Sequence, residues 1–573
     1  MKKFVPVVVA LVLIMIIGAV TVGGMLLEKY SYSEERADLN AYFQVSEGEV
    51  AIILQDAMLE EKAIKRNDVC YFDIETVHTY FNDTFYIDME EGIVLYTNAI
   101  DTVRTNIGEA GYVQEGVYNE LSYVPAIVEN EMLYLAADYV KLFTNMEYYV
   151  YEGRMQVYNE WGTREVDVAK KDTAVRVKGG IKSSILCDLP KGTEVEVLER
   201  METWCKVKTQ DAFIGYVENK VLEHGSEGQG VAYEETPVTD YVEPEYTTRQ
   251  IEGKVSLGWH NIGGVRGNDT LDSMVAGTKG MNVIAPTWFT LSDNEGNFES
   301  YAEASYVRRA HDKGLYVWGV LDDFNYNLNH KDVTVDVAEV LSKTTTRTKL
   351  VENVVTEAKR LGLDGINVDF ERILNENMGE DFAQFIRELS VQCRLNELTL
   401  SVDNPVPFHY NECMRREVQG KVCDYVIIMG YDEHLSDDTN DPCSVASIGY
   451  VQQGIQKTKE QVPANKVVNG LPFYSILWQT KGADVSDSFL TIANTEDFVA
   501  RIGNEGVWDE ETQQQYIEWT SGGSTYQIWL ENKESIMVKL NVMRAEEIAG
   551  VAVWRLGDGT AEVWELISAY VNS

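Results

Sequence analysis

The stretch Asp364-Gly-Ile-Asn-Val-Asp-Phe-Glu371 carries the clearest structural pattern in the chain. Apolar and polar residues alternate along it, and successive side chains of a β-strand point to opposite faces. The apolar members are Ile366, Val368 and Phe370. The polar members are Asn367, Asp369 and Glu371. We expect a strand whose apolar face packs against helices and whose polar face points into the mouth of a barrel.

Seven further short β-branched runs surround this stretch and alternate with helical patterns such as 350–361 and 381–393. The runs are 254–258, 282–286, 315–320, 398–402, 425–429, 467–471 and 550–554. Eight strands with helical crossovers predict a multidomain chain with a (β/α)₈ TIM barrel at 251–573, whose active site lies at the carboxyl ends of the strands. A predicted hairpin, 515–519 with 525–529, follows the seventh strand and indicates a small α+β insertion forming one wall of a cleft.

Two acidic clusters lie at predicted strand ends. Asp369 and Glu371 stand two residues apart, which places their Cα atoms about 6.5–7 Å from each other. The charge of Asp369 is expected to raise the pKa of Glu371, as a general acid at neutral pH requires. Met429, Tyr431 and Asp432 end or follow the sixth strand and add a phenol and another carboxylate to the same edge of the barrel.

Four tryptophans end or follow predicted strands, where their faces could stack on sugar rings. They are Trp259, Trp288, Trp318 and Trp554. Taken singly, such a tryptophan is as often a core residue, and a single carboxylate at a strand end is commonly a cap or an ion-pair partner. Two acidic clusters on strands of one barrel favour a catalytic site over that alternative.

These motifs resemble glycoside hydrolase family 18, the chitinase-like barrels. The stretch 364–371 is similar to the DxxDxDxE signature of that family, Met429-Gly-Tyr-Asp432 to its MxYD motif, and Trp554 to the tryptophan of its eighth strand. Three further segments resemble the bacterial spore-cortex and cell-wall N-acetylglucosaminidases within it: Tyr431-Asp-Glu-His434, Gly470-Leu-Pro-Phe-Tyr474 and Trp554-Arg-Leu-Gly557.

The resemblance implies substrate-assisted retaining hydrolysis of an N-acetylated glycan. Glu371 would protonate the glycosidic oxygen and then activate water, while the acetamido oxygen of the −1 sugar acts as nucleophile. Asp369 would hold the acetamide N–H, Tyr431 would hydrogen-bond near its carbonyl, and Trp554 would form the floor of the −1 subsite. The other substrate-binding residues implied are Met429, Asp432, Trp259, Trp288 and Tyr474. Neither a cofactor nor a metal is expected.

One residue departs from the family signature: Asn367 stands where the family has an aspartate. An amide cannot share a proton with Asp369, but it can donate a hydrogen bond to it. We therefore count Asn367 among the catalytic residues and expect a more firmly ionised Asp369, an altered pH optimum and retained activity. Because Glu371 is intact, the sequence favours a glycosidase, and a non-catalytic glycan-binding protein on the same barrel is the alternative.

Smaller modules precede the barrel. Residues 172–222 read as five short strands separated by turns and resemble a bacterial SH3-like domain, a family that usually binds peptidoglycan peptides. Residues 40–165 hold a weak α+β repeat, in which Tyr71 recurs as Tyr134, and resemble modules related to the amine-oxidase N-terminal domain. Residues 223–250 are rich in Glu, Gly, Thr, Pro and Tyr without periodicity, which predicts a linker.

The chain begins with Lys2 and Lys3, followed by an uncharged run from Phe4 to Leu27. As a helix this run is long enough to cross a hydrocarbon core of roughly 30 Å. A cleaved signal peptide has a shorter apolar core, so residues 1–30 are expected to be an uncleaved transmembrane signal anchor. The lysines should stay in the cytoplasm, which predicts a single-pass protein of the bacterial cell membrane with an extracellular catalytic domain.

The net charge is −43, and 45 % of the residues are hydrophobic. That content is enough to build real cores, and the negative field repels phosphate backbones, which excludes nucleic acid as a partner. The expected partner is an N-acetylated polysaccharide of the cell wall, cleaved at the β-1,4 linkages of N-acetylglucosamine. Peptidoglycan is favoured over chitin because the SH3-like domain and the anchor both point to the wall. We expect the protein to be a monomer.

Overall fold

The computed structural model describes residues 5–224, 231–234, 241–324, 335–434 and 441–573. Lys2, Lys3 and part of the predicted linker lie outside these ranges. The chain forms two compact units. The first unit comprises Met1–Thr84, Thr105–Tyr112 and Asn119–Glu243. The second unit comprises Phe85–Arg104, Val113–Tyr118 and Pro244–Ser573. The predicted module 40–165 is thus divided, because 85–104 and 113–118 belong to the barrel unit. This is a correction to the sequence-based division.

Eight parallel strands close into a barrel in the second unit. They are β1 (Val255–His260), β2 (Val283–Leu291), β3 (Tyr316–Asp322), β4 (Gly365–Asp369), β5 (Thr399–Pro405), β6 (Tyr425–Met429), β7 (Val467–Pro472) and β8 (Gly550–Trp554). Each strand pairs in parallel with the next, and β1 pairs with both β2 and β8. The predicted TIM barrel is confirmed.

Helices connect and cover these strands. The α-helices of this unit are Leu271–Met274, Ala304–His311, Val337–Ser342, Thr344–Leu361, Glu376–Leu395, Arg416–Val422, Ile448–Lys459, Thr495–Ile502, Lys533–Ala545 and Ala561–Val571. The 3₁₀ helices are Val265–Thr270, His409–Met414, Ala464–Lys466 and Ile492–Asn494. A short strand, Phe298–Ser300, runs antiparallel to β2.

Strand β4 has the two faces that its alternation predicts. Its outward residues, Ile366 and Val368, and the following Phe370 are 0 % exposed. The ring of Phe370 stacks on Phe382 and Phe385 of helix Glu376–Leu395, with centroids 5.9 and 5.6 Å away. Because the apolar side chains occupy the helix side, the polar ones must point into the barrel, which positions the acidic residues at its mouth.

A five-stranded antiparallel sheet lies between β7 and β8 in the chain. Its strands are Tyr474–Lys481, Asp484–Thr491, Val507–Asp509, Gln514–Ser521 and Ser524–Leu530. Ile517, Ile528 and Phe498 form a small core beneath it. A buried ion pair between Lys539 and Glu531, 2.6 Å long, ties the end of this sheet to helix Lys533–Ala545.

The hairpin of strands Phe85–Asp88 and Ile93–Thr97 packs on the helical layer of the barrel unit. The hydroxyl of Tyr86 donates to Asp381 Oδ1 at 2.6 Å and accepts from Arg347 at 3.2 Å. Arg347 is fully buried, lies 4.4 Å from the Tyr86 ring centroid and pairs with Glu388 at 2.8 Å. This segment therefore supplies polar partners to charges inside the helical layer.

The first unit contains the small β-domain predicted at 172–222. Its five strands are Thr173–Arg176, Ile185–Leu189, Glu194–Arg200, Trp204–Thr209 and Ile214–Glu218. The strands Thr163–Ala169, Leu222–His224 and Val231–Glu234 and the 3₁₀ helix Asn219–Val221 flank them. Val175, Val207 and Val217 are 0 % exposed in its core, in agreement with the alternating pattern.

The rest of the first unit starts with one apolar helix, Val5–Tyr30, with a mean hydropathy of 3.0 over an 18-residue window and no buried residue. A seven-stranded sheet contains Glu49–Leu54, Ala57–Arg66, Val69–Asp73, Ala126–Glu129, Met132–Ala136, Glu147–Tyr151 and Arg154–Tyr158. The remaining helices are Leu39–Phe43, Ile74–Tyr80 and Ala137–Leu142. Further strands, which involve segments of both units, are Thr102–Asn106, Gly111–Gln114 and Val117–Glu120.

Candidate active site

A cleft of about 330 Å³ opens at the carboxyl ends of the barrel strands. Seven of the ten residues predicted for the site line it: Trp259, Asp369, Glu371, Met429, Tyr431, Asp432 and Trp554. The other lining residues are Phe324, Asp403, Pro405, Val406, Tyr410 and Tyr450. No basic side chain is among these described residues, so the cleft is acidic and aromatic. The structure also shows no metal-binding cluster within the ranges it describes.

Glu371 lines the cleft, and its backbone is fixed by Asp323, the residue that follows β3. The two Asp323 carboxylate oxygens accept the backbone N–H groups of Glu371 at 3.1 Å and Arg372 at 2.9 Å. Burial raises the pKa of Glu371 to about 7, and the charges of Asp323, Asp432 and Asp322 add to the effect. The direction agrees with the sequence-based expectation, but Asp323, not Asp369, is the leading charge.

Asp369 ends β4, and the pairing of Val368 with Val402 makes Asp403 its neighbour across β4 and β5; both carboxyls line the cleft. Burial raises the pKa of Asp369 well above its usual value, and Asp403 on β5 makes the largest electrostatic contribution, followed by Glu371. Within the described ranges, Asp369 Oδ1 has no hydrogen-bond partner. The pKa of Asp403 is likewise raised well above its usual value by its burial.

Asn367 does not donate to Asp369, and this corrects the expectation from the sequence. Its Nδ2 donates to Asp403 Oδ1 at 2.8 Å and to Ser401 Oγ at 3.0 Å, while its Oδ1 accepts from Trp259 Nε1 at 3.0 Å. Residues i and i+2 of a strand share a face but stand about 6.5–7 Å apart, so the amide reaches across to β5. It therefore does not hold Asp369 in its ionised form.

Tyr431 and Asp432 follow β6, and Asp432 has a left-handed backbone conformation with a φ of 58°. Burial raises the pKa of Tyr431 well above its usual value, so its hydroxyl stays protonated. Tyr474 donates a hydrogen bond to Asp432 Oδ1 and packs edge-on against Tyr431 at 6.4 Å. Tyr474 is not among the residues that line the cleft, so it supports Asp432 and is not placed to contact a substrate.

Of the four tryptophans at predicted strand ends, two line the cleft and two lie in the core. Trp554 is half-buried in the cleft, and Trp259 lies edge-on to it with the ring centroids 6.1 Å apart. Trp288 is 1 % exposed, donates to Asn268 Oδ1 at 2.8 Å and packs on Tyr306 of helix Ala304–His311. Its assignment as substrate-binding is therefore wrong, because its ring faces the helical layer. Trp318 is also buried, stacked on Tyr425.

Sequence reasoning missed Asp323, Asp403 and Tyr410. A search for every acidic residue at a predicted strand end would have found the first two. Tyr410 carries no such signal: it is 80 % exposed at the rim of the cleft. Its ring is parallel to Phe408 at 5.6 Å, and Phe408 stacks on Tyr450 at 6.1 Å. Together they form a flat aromatic surface that leads out of the cleft.

Comparison with known proteins agrees with this arrangement. Residues 330–559 match the family described as glycosyl hydrolases family 18, and residues 171–223 match the bacterial SH3 domain. The barrel belongs to glycosyl hydrolases family 18. It is a glycosidase domain, and the small β-domain is a bacterial SH3 domain.

The individual relatives have low sequence identity to this chain. The uncharacterized glycosylase YvbX of Bacillus subtilis is 26 % identical over 310 residues, which cover 50 % of this chain and 84 % of the relative. The cortical fragment-lytic enzyme of Bacillus anthracis is 25 % identical over 254 residues, which cover 42 % of this chain and only 57 % of that enzyme. The crystal structure of the Bacillus cereus spore cortex-lytic enzyme SleL has a TM-score of 0.49 at 21 % identity, over 57 % of this chain and 75 % of that one.

Proposed function

We propose that this protein cleaves β-1,4 linkages of N-acetylglucosamine-containing glycan by substrate-assisted retaining catalysis, with Glu371 as acid and base. The observation that carries the proposal is the Glu371 carboxyl: it faces the cleft, its backbone is pinned by Asp323, and its pKa is about 7. A carboxyl with that pKa is substantially protonated at neutral pH and can still act as a base in the next step.

In the first step Glu371 gives its proton to the glycosidic oxygen, and the acetamido oxygen of the −1 sugar bonds to the anomeric carbon. The positive charge that develops on the resulting oxazolinium ring lies beside Asp369. Trp554 offers a half-buried face for the −1 sugar, and Tyr431 lines the same cleft. The described lining of the cleft is acidic and aromatic, which suits a transition state that gains positive charge.

In the second step the Glu371 carboxylate takes a proton from water as that water attacks the anomeric carbon. The bond to the acetamido oxygen breaks, and the product keeps the configuration of the substrate. Both steps need the N-acetyl group of the substrate, so a glycan without it should not be cleaved.

Peptidoglycan is the substrate we favour over chitin. The bacterial SH3 domain and the relatives named cortical fragment-lytic enzyme support this choice. We propose that the apolar helix Val5–Tyr30 anchors the chain in the bacterial cell membrane with the barrel outside, and that the protein acts as a monomer. Its net charge of −43 should make its association with an anionic wall dependent on salt.

Glu371→Gln tests the proposal in the full-length chain in detergent, with Glu357→Gln as the matched control. Glu357 pairs with Arg360 on the barrel surface at 2.7 Å and does not line the cleft. We expect wild type and control to release reducing ends from purified peptidoglycan, and Glu371→Gln to lose turnover while still binding it. A wild type that binds glycan but never releases reducing ends would instead support the glycan-binding alternative.

The cleaved bond is identified by reducing the new ends with borohydride and analysing the fragments by mass spectrometry. Reduced N-acetylglucosamine at the new ends is the expected outcome, since the proposed reaction requires that sugar at the −1 position. Reduced muramic acid at those ends would contradict the assigned linkage. Parallel digestion of chitin oligosaccharides then ranks the two substrate classes.

A further inference from the structure

The orientation of the Asn367 amide is determined by its neighbours. An indole N–H can only donate, so the amide oxygen must face Trp259 Nε1, which lies 3.0 Å away. The Nδ2 group is thereby directed at Ser401 and at Asp403 Oδ1. Asn367 and Asp403 are 0 % and 2 % exposed, so the hydrogen bond to Asp403 is shielded from solvent. A hydrogen bond donated to a carboxyl favours its charged form.

Asp369 has no comparable support. Its Oδ1 lacks a hydrogen-bond partner within the described part of the chain. Among the described residues, the groups that act on the pair of Asp369 and Asp403 are acidic or neutral: Glu371, Asp322, Asp323, Tyr431, Asn367 and Trp259. Arg372 acts on Asp322 and Asp323 instead. Before substrate arrives, a negative charge shared by the two carboxyls is therefore better placed on Asp403.

We propose that Asp403 is the proton acceptor for Asp369. In the free protein Asp403 carries the negative charge and Asp369 the proton. When the acetamido group of the substrate docks, the O–H bond of Asp369 breaks and an O–H bond forms on Asp403, so the net charge does not change. The Asp369 carboxylate then accepts the acetamide N–H, and the proton returns when the product leaves. Asp403 acts through Asp369 and is thus a positioning residue; this assignment rests on the proposed function.

The proposal makes a directional prediction for the acid limb of the kcat/KM profile. With Asp403 present, the pair needs to lose only one proton to become active, and the hydrogen bond to Asp403 favours that loss. Without it, Asp369 must ionise alone in a buried site, so the limb moves to higher pH. If Asp403 were only a neighbouring charge, its removal would lower the pKa of Asp369 and move the limb to lower pH.

The test compares wild type with Asp403→Leu and Asn367→Leu in the full-length chain, with oligosaccharides of N-acetylglucosamine as substrate. In Asp403→Leu the Asn367 amide keeps Ser401 as its acceptor, whereas Asn367→Leu removes one of the two side chains, Asn367 and Trp259, whose hydrogen bonds favour the charged form of Asp403. We expect the acid limb to rise by about one pH unit in both variants. Glu357→Gln, outside the cleft, is the control, and the acid limb of its profile should not move.

The double variant Asp403→Asn/Asn367→Asp exchanges the carboxyl and the amide, and it is expected to fold and to return the limb towards wild type. An unchanged or lowered limb in a single variant with a wild-type melting temperature, or an inactive but folded double variant, overturns the proposal. A wild type that releases no reducing ends overturns the proposed function itself, which keeps the two failures distinct.

Discussion

Substituting Asp323→Asn should lower the pKa at which the general acid Glu371 loses its proton. Asp323 is fully buried and is the leading charge among those that raise the pKa of Glu371. The amide removes that charge and leaves one acceptor for the two backbone N–H groups of Glu371 and Arg372. The acid must be protonated to act, so activity is lost as the pH rises through its pKa, and the alkaline limb of kcat should move to lower pH.

The size of this movement follows from Coulomb's law. Two charges roughly 7 Å apart interact by about 2.4 kcal/mol at an effective dielectric constant of about 20 and by about 0.6 kcal/mol in water. Since one pH unit corresponds to about 1.4 kcal/mol, the alkaline limb should move down by about one unit. Burial is the largest cause of the raised pKa, so the pKa of Glu371 should remain above its ordinary value.

The assay is the pH dependence of kcat for the release of reducing ends, measured on the full-length chain. The lost backbone hydrogen bond should also lower the stability by about 1–3 kcal/mol, which a thermal melt detects. Glu357→Gln, on the barrel surface, serves as control for the limb position. A folded Asp323→Asn protein whose alkaline limb stays in place, or moves up, would refute the electrostatic account of Glu371.

Three further predictions concern the cleft and the helical layer. Asn367→Asp places a carboxyl where the amide lies 2.8 Å from Asp403 Oδ1, so the pH–rate profile should shift, and an unchanged profile would contradict this. Arg347→Met leaves the Glu388 carboxylate buried without its ion-pair partner and should lower the free energy of unfolding by about 3–5 kcal/mol in a denaturation experiment. The double variant Arg347→Met/Glu388→Met should lose little stability, and equal losses in the single and double variants would refute this reasoning. Tyr410→Ala should raise KM for long glycans by about tenfold, which corresponds to about 1.4 kcal/mol, and leave short aryl glycosides unaffected, because it removes an exposed aromatic face at the rim of the cleft; equal effects on both would remove its role as a stacking surface.

Much of the barrel follows from local patterns. The alternation in β4 predicts which side chains are buried under helices, because successive side chains point to opposite faces and the apolar set packs on the helices while the polar set faces the barrel interior. The same reasoning fails for Trp288, whose position on β2 was right but whose ring packs on Tyr306. Strand parity on a fully buried strand does not distinguish the helical layer from the cleft by hydrophobicity alone, since both sides accept an aromatic ring.

The amino-acid sequence by itself determined the barrel strands, the SH3 domain, the apolar helix and the pair Asp369 and Glu371, because each of these features depends on residues that are close together in the chain. Only the tertiary structure decided that Asn367 turns to Asp403, that Asp323 pins Glu371, and that Phe85–Thr97 packs on the helices of the barrel unit. These contacts join residues on different strands and segments, which come together only when the barrel closes and buries them. Hydrogen bonds and charges at such distances depend on three-dimensional placement, which no local spacing encodes.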